Sequence, residues 1–174
     1  MKPTKKFLTS LYEILDSVIM SAVVVLLLFT LVFRIFVVSG PSMNMTLENG
    51  DRLIVSDLFY TPKRGDIICF YSEVEGEVLV KRIIATEGQT VDIKDGYVYV
   101  DGVKLAEPYV QYGMATQARS LPMPHTVKEG CVFALGDNRA NSKDSRYTEI
   151  GDIDCNDIFG RLIFRLMPNT GKVR

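Results

Sequence analysis

The sequence predicts a mostly β domain of antiparallel hairpins behind one N-terminal transmembrane helix. Three observations carry that prediction. A long apolar run, residues 17–38 (SVIMSAVVVLLLFTLVFRIFVV), holds Arg34 as its only charge. Beyond it, short runs rich in β-branched and aromatic residues recur, which is the composition of strands. Two Asp-Gly pairs, Asp95-Gly96 and Asp101-Gly102, follow such runs and suit two-residue hairpin turns, where glycine takes positive φ without a steric penalty.

The apolar run comes first. A hydrocarbon core of roughly 30 Å needs about 20 helical residues, and residues 17–38 supply that length if 35–38 extend the helix and Arg34 snorkels to the interface. In lipid every backbone polar group must be satisfied internally, so the run is expected to be helical despite its many Val and Ile residues. Lys2, Lys5 and Lys6 precede it. The positive-inside rule then puts residues 1–16 in the cytoplasm and residues 39–174 outside. A cleaved signal peptide and a buried core helix are the competing readings. Against the first, Pro41 follows the small-residue candidate Val38-Ser39-Gly40. Against the second, no polar face is visible.

Strands are expected at residues 52–56, 66–71, 78–85, 90–94, 96–100, 132–135 and 162–166. Residues 106–128 carry Pro108, Pro122 and Pro124 with little apolar periodicity and read as an extended surface excursion. A hairpin-rich region is thus expected at about residues 90–130.

Composition excludes some functions. Residues 39–174 hold 16 Lys/Arg against 19 Asp/Glu, a net charge of −3, with no basic run, so nucleic acid is not an expected partner. Cys69, Cys131 and Cys155 are widely spaced and form no CxxC. Buried free thiols, or one disulfide with a leftover thiol, fit an extracytoplasmic domain. With a single histidine, His125, no structural zinc site is expected. No metal or cofactor is called for.

Three separated segments carry chemistry. In Gly40-Pro41-Ser42-Met43-Asn44-Met45-Thr46-Leu47, Gly and Pro bend the backbone ahead of Ser42 and expose its hydroxyl and amide. By itself that is also the composition of an ordinary turn. In the second, Val78-Leu79-Val80-Lys81-Arg82-Ile83-Ile84-Ala85, strand alternation puts Lys81 on one face with Leu79 and Ile83. Such burial lowers a lysine pKa, and an unperturbed lysine is neutral only about once in 2,500 at pH 7. A lysine snorkelling from an edge strand is the plain alternative. The third, Gly136-Asp137-Asn138-Arg139-Ala140-Asn141-Ser142-Lys143-Asp144-Ser145-Arg146, is a polar loop able to support a lysine from behind.

Together, with Arg64-Gly65-Asp66-Ile67-Ile68, these segments resemble the type I signal peptidase family of bacterial Ser/Lys serine peptidases. The family patterns Gly-x-Ser-Met-x-Pro-Thr-Leu, Val-Lys-Arg-Ile and Gly-Asp-Asn-Arg-x-x-Ser-x-Asp-Ser-Arg are matched at Gly40–Leu47, Val80–Ile83 and Gly136–Arg146. The resemblance implies a coiled-sheet catalytic domain and a membrane-bound serine endopeptidase that acts on preprotein signal peptides as a monomer at the bilayer. Ser42 would be the nucleophile and an oxyanion donor through its amide, and Lys81 the general base. Ser142 would hydrogen-bond and orient Lys81, while Asp144 and Arg146 would brace the loop. Phe36, Val38, Met43, Leu47, Leu79 and Val80 would line shallow apolar substrate pockets. Two departures stand out. Some members place a serine hydroxyl two residues before the nucleophile, where this chain has Gly40; Ser39 lies one residue further back, so the second oxyanion donor is unassigned. Met45 stands where the family usually has a proline that stiffens the turn.

Overall fold

The computed structural model describes residues 5–167 and 170–171. The chain divides into two compact units, residues 1–34 and 35–174. The first is the helix α1 (Lys5–Val32). Within it, Thr9–Val32 is long and apolar enough to cross a membrane, with mean hydropathy 2.5 over its most apolar window; 24 residues span roughly 36 Å. Its hydroxyls turn back onto the helix. Ser17 donates to the Glu13 carbonyl at 2.9 Å, Ser21 to Ser17 at 2.7 Å and Thr30 to Leu27 at 2.8 Å. A helix in lipid can therefore carry them at little cost. Lys2 lies outside the described residues, and of Lys5 and Lys6 only the backbone is described.

The expected helix over 17–38 needs correcting at both ends. It starts by Lys5 and stops at Val32, and Arg34–Val37 is a strand, β1. The reason is tertiary. Phe36 stacks on Phe159, with ring centroids 5.5 Å apart, and Val38 is buried in the core. The backbone at Val38 exchanges hydrogen bonds with Asp51 and Gly50, each at 2.9 Å. Val, Ile and Phe fit a pleated surface, and once a sheet edge is on offer the helix loses these residues to it.

The remaining strands are β2 (Arg52–Ser56), β3 (Ile67–Ser72), β4 (Glu77–Thr86), β5 (Thr90–Lys94), β6 (Tyr97–Val100), β7 (Val103–Lys104), β8 (His125–Thr126), β9 (Cys131–Leu135), β10 (Ile153–Asp154) and β11 (Ile158–Met167). They form a seven-stranded sheet in the order β1-β2-β11-β3-β4-β9-β10 and a four-stranded sheet in the order β7-β6-β5-β8. The pairings between β2 and β10 in the first sheet, and throughout the second, are antiparallel. The mostly β, antiparallel class read from the sequence is the class observed. Both Asp-Gly turns have positive φ at each residue (51° and 83°; 52° and 78°), as a tight hairpin with right-twisted strands demands. Gly96 is needed twice over, because a Cβ there would also lie 2.9 Å from that of Ala115.

Three buried apolar clusters fill the second unit: one around Met43, Leu47, Leu53 and Val80, one around Ile84, Val91 and Phe133, and one around Ile68, Phe70 and Ile83. All three cysteines are free thiols. Cys69 is buried, which pushes its pKa up to about 12.

Gly160 marks the tightest strand crossing. At φ 135° it faces Ser56, whose carbonyl oxygen would lie 2.4 Å from an added Cβ. Gly160→Ala must push β11 off β2 and is expected to destabilise the fold by about 1–3 kcal/mol, read as a lowered thermal midpoint in detergent.

Candidate active site

Strand β4 presents two cations on opposite faces. Lys81 is 2% exposed. It is set between Leu79 and Ile83 and opposite Ile68 in the sheet register, and these three belong to one apolar cluster. Its Nζ reaches the Ser42 hydroxyl at 3.0 Å and the Val80 carbonyl at 3.1 Å, both uncharged. Burial is the main reason its pKa falls from 10.5 to about 8; Asp144, Glu77 and Glu75 pull the other way, and Arg146 adds to the lowering.

Ser42 sits on a turn whose backbone is unusual at two places. Gly40 has φ 83°, and its amide donates to Asn49 Oδ1 at 2.9 Å. A Cβ at Gly40 would meet nothing within 4 Å. The glycine is therefore required by backbone conformation, not by crowding. Met45 has φ 86° and its side chain is 72% exposed. Proline, locked near φ −65°, cannot occupy this conformation. The absent proline accordingly goes with a left-handed turn and not merely with a looser one. Turn bonds from Asn44 to Pro41 (3.0 Å) and from Leu47 to Met43 (2.8 Å) hold the segment.

Arg82, on the other face of β4, ties the three segments together. It is 3% exposed and donates to both carboxylate oxygens of Asp137, Nε at 2.9 Å and Nη2 at 2.8 Å. Its Nη1 donates to the Gly65 carbonyl at 2.9 Å, and Tyr109 covers the guanidinium at 4.0 Å. Asp137 also accepts from the Thr46 hydroxyl, so the lysine strand, the polar loop and the serine turn meet on one carboxylate. Next to it, the Asn138 amide donates to the Ser42 carbonyl at 3.0 Å and its side chain to the Pro41 carbonyl at 3.1 Å. Sequence reasoning left Arg82, Asp137, Asn138 and Thr46 without roles. The available signal was Arg82 itself: a charge in an apolar strand, if buried, requires a partner.

Asp144 and Arg146 are both fully buried and pair at 2.8 and 2.9 Å through two Arg146 nitrogens. Asp144 also accepts from the Gly136 amide, and Arg146 donates to the Arg139 carbonyl. Arg139 in turn reaches Glu107 at 2.6 Å and Thr116 at 2.8 Å.

One expectation for the site needs correction. Ser142 does not hydrogen-bond Lys81: its Oγ is buried without a partner. The lysine spends its contacts on Ser42 and Val80, while the Ser142 hydroxyl is wedged against Gly136. A Cβ at Gly136 would lie 2.2 Å from that hydroxyl and 2.5 Å from the Ser42 carbonyl oxygen, so only glycine lets the loop approach the serine turn this closely. The apolar residues expected to line pockets fall into two clusters. Phe36, Val38, Met43, Leu47 and Val80 share one cluster, with Met43 and Leu47 fully buried. Leu79 packs in another, with Ile68 and Ile83, because neighbours along a strand face opposite ways. His125 pairs with Asp152 at 2.7 Å on the second sheet, while the Ser42 hydroxyl is taken by lysine.

Two consequences can be measured. Holding Lys81 inside the fold penalises its charged form, so the unfolded chain keeps more protons than the folded one between pH 8 and 10.5, and stability rises with pH across that window. Lys81→Met removes the penalty and should stabilise the protein at pH 7 by up to about 3 kcal/mol, flattening the pH dependence of its unfolding midpoint. At Met45, glycine should be neutral or stabilising by up to about 1 kcal/mol, whereas Met45→Pro should destabilise by more than about 1 kcal/mol, by the same unfolding measurement.

Residues 11–167 match the family described as signal peptidase, peptidase S26. The chain is 38% identical to a probable signal peptidase I-1 of Synechocystis over 160 residues, covering 83% of this chain and 79% of that protein. It is 35% identical to a signal peptidase I of Bacillus licheniformis over 168 residues, covering 91% and 90%. A solved signal peptidase I from Enterococcus faecalis superposes with a TM-score of 0.51 at 34% identity, over 60% of this chain and 98% of that one. The chain belongs to the signal peptidase family, peptidase S26.

Proposed function

We propose that this chain is a membrane-anchored serine endopeptidase that removes N-terminal signal peptides from exported preproteins, with Ser42 as nucleophile and Lys81 as general base. The observation that carries the reading is the 3.0 Å contact between the Ser42 hydroxyl and a buried lysine whose pKa is lowered to about 8. Neutral Lys81 takes the Ser42 proton as Oγ attacks the scissile carbonyl. The Ser42 amide stabilises the oxyanion. Lys81 then returns the proton to the leaving amine, and water releases the acyl group. The residues upstream of the cut run as an extended strand past the apolar cluster that holds Phe36, Val38, Met43, Leu47 and Val80.

The apolar helix Thr9–Val32 serves as the bilayer anchor, and the basic residues ahead of it favour a cytoplasmic N-terminus with residues 39–174 outside. One chain supplies the nucleophile, the base and their supports, so the proposed chemistry needs no second copy.

The purified protein in detergent should cleave a preprotein after a small-x-small sequence. Its rate should rise with pH through about 8, following the lysine, because the amine must be neutral to accept a proton. Ser42→Ala should abolish cleavage, and Lys81→Ala should lower kcat by about 100-fold or more. A Lys81→Ala enzyme running at the wild-type rate near pH 8 would rule out the dyad.

A further inference from the structure

Residues 105–124 run between β7 and β8 without helix or strand, yet part of this excursion is held inside the protein. Its anchor is the turn Glu107-Pro108-Tyr109-Val110. Proline at the second position fixes φ for such a turn, and the Val110 amide closes it on the Glu107 carbonyl at 3.1 Å. The turn brings two side chains together: the Tyr109 hydroxyl donates to Glu107 at 3.0 Å. Glu107 is itself held by Arg139, from Nη2 at 2.6 Å and from Nη1 at 3.1 Å, and the same Nη1 donates to the Thr116 hydroxyl at 2.8 Å. The Arg139 side chain is 0% exposed and that of Glu107 11%. Burying two charges is costly, and a loop that only covered the surface would not need them.

The ring held by this turn lies over Arg82, 4.0 Å from the guanidinium, on the face of β4 opposite Lys81. The in-plane donors of Arg82 go to Asp137 and to the Gly65 carbonyl. Tyr109 covers a flat side of the guanidinium, which carries no donor. An aromatic face attracts the cation there, and a guanidinium is weakly enough hydrated to accept that cover. Without the ring, water gains access to a buried ion pair.

That ion pair is connected to both members of the dyad. Arg82 adjoins Lys81 on β4. Asp137 accepts from Thr46, and Asn138 holds the Pro41 and Ser42 carbonyls. A shift of Arg82 therefore moves the base on one side and the nucleophile's turn on the other. We propose that Tyr109, clamped by Glu107 and Arg139, is a positioning residue for the cleavage reaction: its ring holds Arg82 in place, and Arg82 holds Lys81 at Ser42. Tyr109 acts through Arg82 and not on the reacting atoms. The inference rests on the Ser42–Lys81 activity proposed above.

The test replaces the ring. Tyr109→Leu removes the aromatic face, whereas Tyr109→Phe keeps it and loses only the hydroxyl. Rates are measured on a small-x-small peptide in detergent, at a temperature where circular dichroism shows each protein folded. Because small misplacements of a catalytic group are costly, Tyr109→Leu should lower kcat by about tenfold or more, with KM within about twofold of wild type. It should also move the midpoint of the rate's rise with pH above the wild-type value of about 8, since a loosened β4 lets water reach Lys81. Tyr109→Phe should keep the wild-type midpoint and most of kcat. Thr116→Val, which takes one acceptor from Arg139 and leaves Tyr109 in place, should shift kcat and midpoint in the same direction by less. A strap with a purely structural role would lower the thermal midpoint of Tyr109→Leu and leave kcat and the pH midpoint at wild type; that result overturns the proposal, as does an equal loss of kcat in Tyr109→Phe. Should Tyr109→Leu not fold, Thr116→Val decides alone, and an unchanged kcat and pH midpoint there overturn the assignment. A wild-type protein that cleaves nothing overturns the activity and the proposal with it.

Discussion

The buried pair of Arg82 and Asp137 is the constraint on which the rest of the site depends. Two ions out of water are tolerable only when their hydrogen-bonding groups are filled, and here they are: two guanidinium–carboxylate bonds, a backbone carbonyl, a tyrosine ring and a threonine hydroxyl. Because residues 81 and 82 are adjacent on one strand, fixing Arg82 on one face fixes Lys81 on the other. Because Asp137 also holds Thr46, the same carboxylate sets the serine turn. The distance between nucleophile and base is thereby set by an ion pair that takes no part in the chemistry.

The two cations of β4 show how partners decide charge. Both are almost fully buried. Arg82 faces a carboxylate. Lys81 faces only a hydroxyl and a carbonyl, so burial pushes it toward the neutral amine. Asp144, the acid that pulls most strongly against this lowering, favours the ammonium form of Lys81. Arg146 engages both oxygens of Asp144 and supplies a positive charge that opposes that pull, which is why Arg146 appears among the groups lowering the lysine pKa. The brace of the loop is thus also an electrostatic shield, and two residues read from the sequence as scaffolding bear on the base they support.

Much of this was legible in the sequence because it is local. β2 and β5 match the expected runs residue for residue, and the two hairpin turns follow from Asp-Gly alone. Lys81 between Leu79 and Ile83 announced its own desolvation. What the sequence did not give depends on distant partners. β1 looked like the end of a helix until Phe159 and the β2 edge competed for it. β8 and β10 are two-residue strands that exist only because β5 and β9 are there to pair with. The Ser142 hydroxyl was expected on the lysine because a motif supplies no coordinates, and Gly136 proved to be the residue that decides how close the loop can come.

The serine turn carries the same lesson into energetics. Gly40 and Met45 both adopt left-handed φ, and for methionine that conformation costs roughly 1–2 kcal/mol. A turn holds such strain only where its surroundings over-determine it. Here Asn49 holds the Gly40 amide, Asn138 holds the Pro41 and Ser42 carbonyls, and Asp137 holds Thr46. Bonds from three sides have replaced the stiffness a proline would supply from within. The shape of the nucleophile's turn is then a property of the polar loop docked against it, so loss of the loop's grip would release Ser42 from Lys81 even with both catalytic side chains intact.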